Sequence, residues 1–255
     1  MIALKSDMEI RAMREAGRRA ATVLDELCRS ACAGMTTYDL DQLGREAMKR
    51  HGVESACFNY SNGRSHYPAY TCISINNEIV HGIGSIKRVM RAGDIVSIDV
   101  VIRYEGFIAD NARTIMLQPV SPDWERLVKV TEEALYLGIA QARAGQRLGA
   151  VSHAVQRHVE KAGFSVVRDF VGHGVGRSMH EEPQIPNFGQ RNNGPKLQPG
   201  MTLAIEPMVN MGTHAILMGE DGWTALTRDG QPAAHFEHTI LITGAEPEIL
   251  TIVEK

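Results

Sequence analysis

Apolar residues open this chain at helical spacing. Ile10, Met13, Gly17, Ala20, Val23, Leu24 and Leu27 fall on one stripe, while Arg11, Arg14, Arg18 and Arg19 lie mainly on a solvated face. Ser6-Asp7-Met8-Glu9 has the S-x-x-E form, in which serine and glutamate side chains satisfy the free N–H groups of a first turn. The helix is therefore expected to start at Asp7. A second helix is expected over residues 37–51. The period then shortens: Cys72-Ile-Ser-Ile-Asn76 alternates as a strand, and residues 95–102 read as another. Gly106 turns the chain into a third, over about 107–117. Ser121-Pro122 opens a further helix, because proline at the first helical position forfeits no hydrogen bond. That helix should reach Ala142, and a fourth should cover residues 149–162. Strands follow near residues 166–170, 202–205 and 235–243. Helices then strands, twice over, predict an α+β domain with an antiparallel-rich sheet rather than a βαβ fold.

The residues repeat along with the elements. Gly93-Asp-Ile-Val-Ser-Ile-Asp99 and Gly200-Met-Thr-Leu-Ala-Ile-Glu206 match in polarity, and each places a carboxylate six residues after its glycine. His81-Gly-Ile-Gly and His173-Gly-Val-Gly form a second matched pair. Ala33-Gly34 and Ala144-Gly145 each precede a helical stretch that ends at Gly52 and Gly163. A chain of two related halves can bring equivalent residues together across a pseudo-two-fold axis. No low-complexity linker separates the halves, so a single domain over residues 1–255 is expected, with halves at about 7–118 and 121–250.

Composition narrows the picture only slightly. With 44% apolar and 22% charged residues in 255, the chain is ordinary for a globular protein and long enough to bury a substantial core. A net charge of -3 gives no global electrostatic case for nucleic acid or anionic membrane. Cys28, Cys32, Cys57 and Cys72 form no C-x-x-C pair, and Cys28 and Cys32 are expected on one helix face as small apolar residues. There is no apolar leader and no long apolar run, so a cytoplasmic protein is expected.

The acidic residues are the informative ones. Asp99 interrupts a run that reads as buried, where an ionised carboxylate costs several kcal/mol (about that, in effective terms) unless a cation compensates it. An arginine partner or a divalent ion would each serve. Asp110 lies across the hairpin through Gly106, and Glu206 repeats the Asp99 problem in the second half. Glu237 adjoins another apolar strand, with His238 pointing to the opposite face and so in a structural or supporting position. His173 lies among glycines that permit close backbone approach. Four buried-looking carboxylates and one imidazole suit Mn, Fe(II), Co or Zn, and their number exceeds what one ion needs. Two ions sharing carboxylates would account for it, with hydrolysis of an amide or phosphoester as the reaction class.

At this point a resemblance becomes specific. Asn77-Glu-Ile-Val-His81-Gly-Ile, Gly93-Asp-Ile-Val-Ser-Ile-Asp99, Gly172-His173-Gly-Val-Gly, His180-Glu-Glu-Pro183, Ile205-Glu206-Pro-Met-Val-Asn210 and Glu237-His238-Thr-Ile resemble the motifs of type I methionine aminopeptidases, in that family's order and over nearly the whole chain. The resemblance implies the duplicated pita-bread fold, here in its short bacterial form, and removal of the initiator methionine from nascent polypeptide N-termini whose second residue is small. It implies two divalent metal ions bridged by Asp110 and Glu237, with Asp99 completing one and His173 and Glu206 the other. A metal-bridging hydroxide would attack, with Glu206 as proton shuttle. His180 would hydrogen-bond the scissile carbonyl and His81 would contact the scissile amide. Cys57, Tyr67, Cys72, Met179, Met208 and Trp223 would line the methionine pocket. Transient ribosome association is implied too, and a monomer is the default.

Three departures stand out. Asn111 replaces the usual Thr or Ser, Met179 replaces a frequent aromatic, and the stretch from Asn59 to His66 is about four residues longer than usual, which leaves the placement of Tyr60 and Arg64 open. Two other readings compete. A proline-specific relative would normally carry a further amino-terminal domain before the catalytic one, and a binding module on this fold would normally have lost ligands.

Overall fold

The computed structural model describes residues 2–253. Among these residues four helices, α1 (Asp7–Ser30), α2 (Thr37–Arg50), α3 (Pro122–Gln141) and α4 (Gly149–Lys161), accompany a nine-stranded sheet and two three-stranded ones. The expected capping box is present: the Ser6 side chain accepts from Glu9 N, and Glu9 accepts from Ser6 N at 2.9 Å. α2 carries an equivalent box, built from Thr36 and Asp39. α1 ends at Ser30, so Cys32 lies beyond it and is exposed rather than sharing a helical face with Cys28.

The repeat is visible in the strand order. Across the main sheet the strands run Cys72–Ile75, Ile95–Tyr104, Phe107–Met116, then Glu237–Leu241, Thr202–Ile205 and Gly172–Gly174. Each of the first three has its counterpart in mirror position, and the pseudo-two-fold passes between the paired residues Asn111 and His238. The turns repeat as well. Gly93 (φ 97°) and Gly200 (φ 91°) both adopt the left-handed conformation, and their N–H groups donate to Leu117 O at 2.6 Å and Ile242 O at 2.9 Å. Gly34 and Gly145 likewise donate to Met90 O and Leu197 O, both at 2.8 Å. The histidine motifs do not correspond. His173 lies inside the main sheet, whereas His81 follows Glu78–Val80, a strand of a different sheet paired with Ala225–Thr227.

Period-two alternation separates the two faces of the sheet. Val96, Ile98, Val100 and Ile102 pack with Ala16, Ala20, Val23, Leu24 and Leu27 of α1 and with Leu40 of α2. Leu203, Ile205 and Ile240 do the same with Leu127, Leu135 and Ile139 of α3 and Val151 and Val155 of α4. The helices thus cover one face. The alternate residues, Asp99, Val101, Asp110 and Glu237, line a cavity on the other. Truncating a fully buried member of either layer, such as Leu127, should cost about 2–5 kcal/mol.

Two expected strands are broken, and the breaks matter. The strand expected over residues 235–243 splits into Ala233–His235, paired with Met208–Asn210, and Glu237–Leu241 in the main sheet. Thr202–Ile205 stops at the same level, because Pro207 has no N–H to continue the ladder. Glu206 and Glu237 therefore both sit where the chain passes from one sheet to the other. Of the strand expected over 166–170, only Ser165–Val166 forms.

Candidate active site

One cavity of about 260 Å³ gathers every residue to which the resemblance gives a ligand, catalytic or pocket role: Asp99, Asp110, His173, Glu206 and Glu237, then His81 and His180, then Cys57, Tyr67, Cys72, Met179, Met208 and Trp223. Tyr60, Val101, Phe170 and Val171 complete its lining. Asp99 and Asp110 come from the hairpin of strands Ile95–Tyr104 and Phe107–Met116. Glu237 comes from the strand beside it, and Glu206 from the break after Ile205.

His173 shows what this cluster is built for. Its Nδ1 lies 3.0 Å from Gly174 O, an acceptor only, so Nδ1 carries the proton and Nε2 presents a lone pair. That lone pair faces Glu206 Oε1 at 3.3 Å and Asp110 Oδ2 at 3.8 Å. Burial pushes the His173 pKa down to about 4, so the ring does not supply a positive charge itself. The flanking glycines serve the backbone rather than the cavity. A Cβ on Gly172 would lie 2.5 Å from Ala204 O, and one on Gly174 would lie 2.3 Å from Glu182 O, so only glycine lets this strand fit between its neighbours.

The carboxylates carry the same message. Burial pushes Asp99 up to about 7, and burial plus the neighbouring carboxylates holds Asp110, Glu206 and Glu237 well above the ordinary range. Among the described residues, no lysine or arginine pairs with any of the four. Asp99 Oδ1, Asp110 Oδ1 and Glu237 Oε1 are buried without a hydrogen-bond partner. The arginine-partner reading of Asp99 therefore fails. Oxygen donors facing one another and a neutral imidazole lone pair fit a divalent cation, whose charge would reverse the burial penalty. Asp110, His173 and Glu237 alone place three donor atoms within 4.8 Å of one another.

Hydroxyl groups fix this geometry from behind. Thr239 Oγ1 accepts from Asp110 N at 3.0 Å and donates to Asp110 O at 2.8 Å, in place of a ladder bond between the two central strands. Thr239 N donates in turn to Thr251 Oγ1, which also contacts His238 Nδ1 at 2.9 Å. His238 thus points away from the cavity, as strand alternation predicted. Asn111 does too: it lies beside His238 in a separate cavity under the helices, so this departure leaves the donor set intact.

The other two histidines stand at the mouth. His180 Nδ1 lies 2.9 Å from the Tyr60 hydroxyl, and its ring meets His173 edge-on at 4.5 Å. Lys5, which is 9% exposed, secures this loop through Glu181 at 2.8 Å. His81 has a left-handed backbone (φ 62°), and its ring lies edge-on to Phe170 at 5.3 Å. Tyr67 donates to Gly82 O at 2.9 Å and stacks edge-on against Trp223 at 5.2 Å. The longer segment forms a hairpin closed by Asn59 N to Tyr67 O at 2.9 Å and Tyr67 N to Tyr60 O at 2.8 Å. Its residues 61–66 are exposed, so Arg64 lies outside the cavity while both flanking tyrosines line it.

Comparison with known proteins gives this arrangement a family. A model of metallopeptidase family M24 matches residues 11–244. Methionine aminopeptidase 1 of Bacillus subtilis is 46% identical over 99% of this chain and 100% of its own. Methionine aminopeptidase A of Synechocystis is 47% identical, covering 99% and 98%. The chain belongs to the methionine aminopeptidases of metallopeptidase family M24. The crystal structure of a Thermotoga maritima methionine aminopeptidase superposes on this M24 fold with a TM-score of 0.96 at 46% identity, covering 100% of both chains. Prolidase from Pyrococcus furiosus shares the fold alone, with a TM-score of 0.78 at 21% identity over 66% of its length. For this aminopeptidase the fold that the resemblance implied is the one found.

Two polar side chains that touch residues of this site, Tyr60 and His235, carry no role in the sequence reading. The longer segment after Tyr60 obscures its alignment with the family's motifs. His235 precedes Glu237 by two residues, a spacing that on a strand puts both on one face, and that was the available signal.

Proposed function

We propose that this metallopeptidase removes the initiator methionine from nascent proteins and peptides whose second residue is small, using two divalent ions. The observation that carries the reading is the His173 Nε2 lone pair turned toward Glu206 and Asp110, acceptor against acceptor, in a buried site. Asp110 and Glu237 would be shared between the ions, with Asp99 on one and His173 and Glu206 on the other. Bound divalent ions would supply Lewis-acid polarisation of the scissile carbonyl and activation of water near neutral pH.

The chain's own groups supply the rest. His180 Nε2–H donates to the carbonyl oxygen as charge develops on it, a stabilisation that grows toward the transition state. The Tyr60 hydroxyl on Nδ1 favours the tautomer with that proton in place. His81 contacts the scissile amide, and Glu206 carries the proton to the leaving amine. Cys57, Tyr67, Cys72, Met179, Met208 and Trp223 offer a soft, largely apolar surface for a thioether side chain. A cytoplasmic location, work as a monomer and transient contact with the ribosome complete the proposal. No helix among the described residues is long and apolar enough to cross a membrane.

Isothermal titration of the metal-stripped protein with Mn(II) or Co(II) tests the two-ion assignment. Two binding events are expected, and Glu237→Gln should weaken both. A single event, or unchanged affinity in that variant, would contradict the assignment.

A further inference from the structure

His235 is a buried imidazole with no part in the reaction described above. It is 2% exposed, and among the described residues its Nε2 has no hydrogen-bond partner. Its backbone is held on both sides by one hydroxyl: Thr114 Oγ1 donates to His235 O at 2.8 Å and accepts from His235 N at 2.9 Å. Ser97 Oγ contacts that hydroxyl at 2.8 Å. The His235 backbone is therefore anchored where the strand leaves the main sheet, and Nε2 lies 4.0 Å from Glu206 Oε2 and 3.9 Å from Glu237 Oε2.

Glu206 thus stands between two imidazoles. Its Oε1 turns to His173 Nε2, and its Oε2 turns to His235 Nε2. The two rings differ in what they can offer. The bond from His173 Nδ1–H to Gly174 O leaves a lone pair at Nε2, suited to a cation. His235 Nε2 has the Glu206 and Glu237 oxygens as its nearest charged neighbours, with the His81 ring also close enough to oppose a positive charge, so the neutral tautomer that suits the carboxylates is Nε2–H. A buried carboxylate that commits one oxygen to a cation still needs a donor on the other.

We infer that His235 is a positioning residue whose Nε2–H donates to Glu206 and Glu237 from the side opposite His173, holding Glu206 with Oε1 toward the metal cluster. Closing the gap to a hydrogen bond requires side-chain movement of about 1 Å. The inference rests on the proposed ligand roles of Glu206 and Glu237. Groups that orient a metal ligand act through it, and their removal costs about 10–100-fold in metal affinity or activity.

The test separates the N–H from the imidazole. The full chain, stripped of metal, is titrated calorimetrically with Mn(II) alone and with Co(II) alone, in the wild type and in His235→Gln and His235→Leu. Glutamine keeps a neutral N–H donor, and leucine keeps bulk without one. His235→Leu should weaken the tighter binding event about 10–100-fold, while His235→Gln stays within about threefold of wild type, with kcat following the same order. Should the leucine variant fail to fold, as judged by circular dichroism, His235→Met takes its place. Unchanged affinity in the apolar variant would overturn the inference. So would a glutamine variant as weak as the apolar one, because the imidazole itself would then be required. Glu206→Gln in the same titration checks the underlying reading separately: wild-type affinity there would remove Glu206 from the ligand set whatever His235 does.

Discussion

The two halves of this molecule share a backbone plan and differ in what they bring to its axis. In the first half, Asp99 and Asp110 project from two unbroken ten-residue strands. In the second, Glu206 and Glu237 sit at breaks, where Pro207 and the turn at Phe236 carry the chain into another sheet. A short carboxylate serves where the backbone runs straight, and one methylene more serves where it bends away. The second half supplies most of the histidines, His173 within the sheet, His180 at the mouth and His235 beside Glu206, against His81 alone from the first. Duplication accounts for the four carboxylates facing one another.

This comparison can be broken in graded steps. Asp110 and Glu237 are equivalent across the axis, so Asp110→Asn and Glu237→Gln should each lower kcat by about 1000-fold or more, corresponding to several kcal/mol of lost transition-state stabilisation. Steady-state assay with a Met-Ala-Ser peptide reads this, and losses differing by more than about tenfold would break the equivalence. Next comes His180→Ala, expected to lower kcat by about 100-fold with KM changed only a few-fold, since its partner gains charge only in the transition state. A rise in KM at constant kcat would make His180 a binding residue instead. Thr239 has Ala112 as its counterpart, so its hydroxyl clamp on Asp110 exists on one side only. Thr239→Val should weaken metal binding by about tenfold by calorimetry, and Thr239→Ser should restore it. Equal affinity in valine and serine variants would remove the clamp from the account.

The smallest effect is one of pH. Asp99, at about 7 in the metal-free fold, lies above its unfolded value, so the folded state binds more protons than the unfolded one between about pH 4 and pH 7. Stability from this group is fully present below the unfolded pKa and lost as pH rises through 7. Asp110, Glu206 and Glu237 act in the same direction. The gain in melting temperature on adding Mn(II) should therefore increase from pH 5.5 to pH 8, read by differential scanning fluorimetry. A gain that shrinks over this range would contradict the uncompensated-carboxylate description.

Much of this arrangement was legible in the chain itself. The capping box at Ser6, the proline at the start of α3 and the strand beginning at Ile95 are local signals, and local chemistry decides them. The Asp99 and Glu206 equivalence followed from a shared glycine spacing, which the matched turns at Gly93 and Gly200 bear out. What escaped is non-local. The break at Phe236 depends on which sheet each flanking strand joins, and nothing in His235-Phe-Glu-His shows that. The apparent pairing of the two His-Gly motifs misled for the same reason, because like residues were placed in different sheets. Tyr60 reaches His180 across 120 residues of chain, a contact no spacing rule reports. Nor does any local signal show that Glu206 lies between the His173 and His235 rings.

The most direct test of the central claim is an assay of the metal-stripped protein against Met-Ala-Ser, Met-Leu-Ser and Ala-Pro-Ser while Mn(II), Fe(II) or Co(II) is titrated in. The account predicts metal-dependent release of methionine from Met-Ala-Ser alone. Cleavage of Ala-Pro-Ser, or no cleavage with any of the three metals, would contradict it.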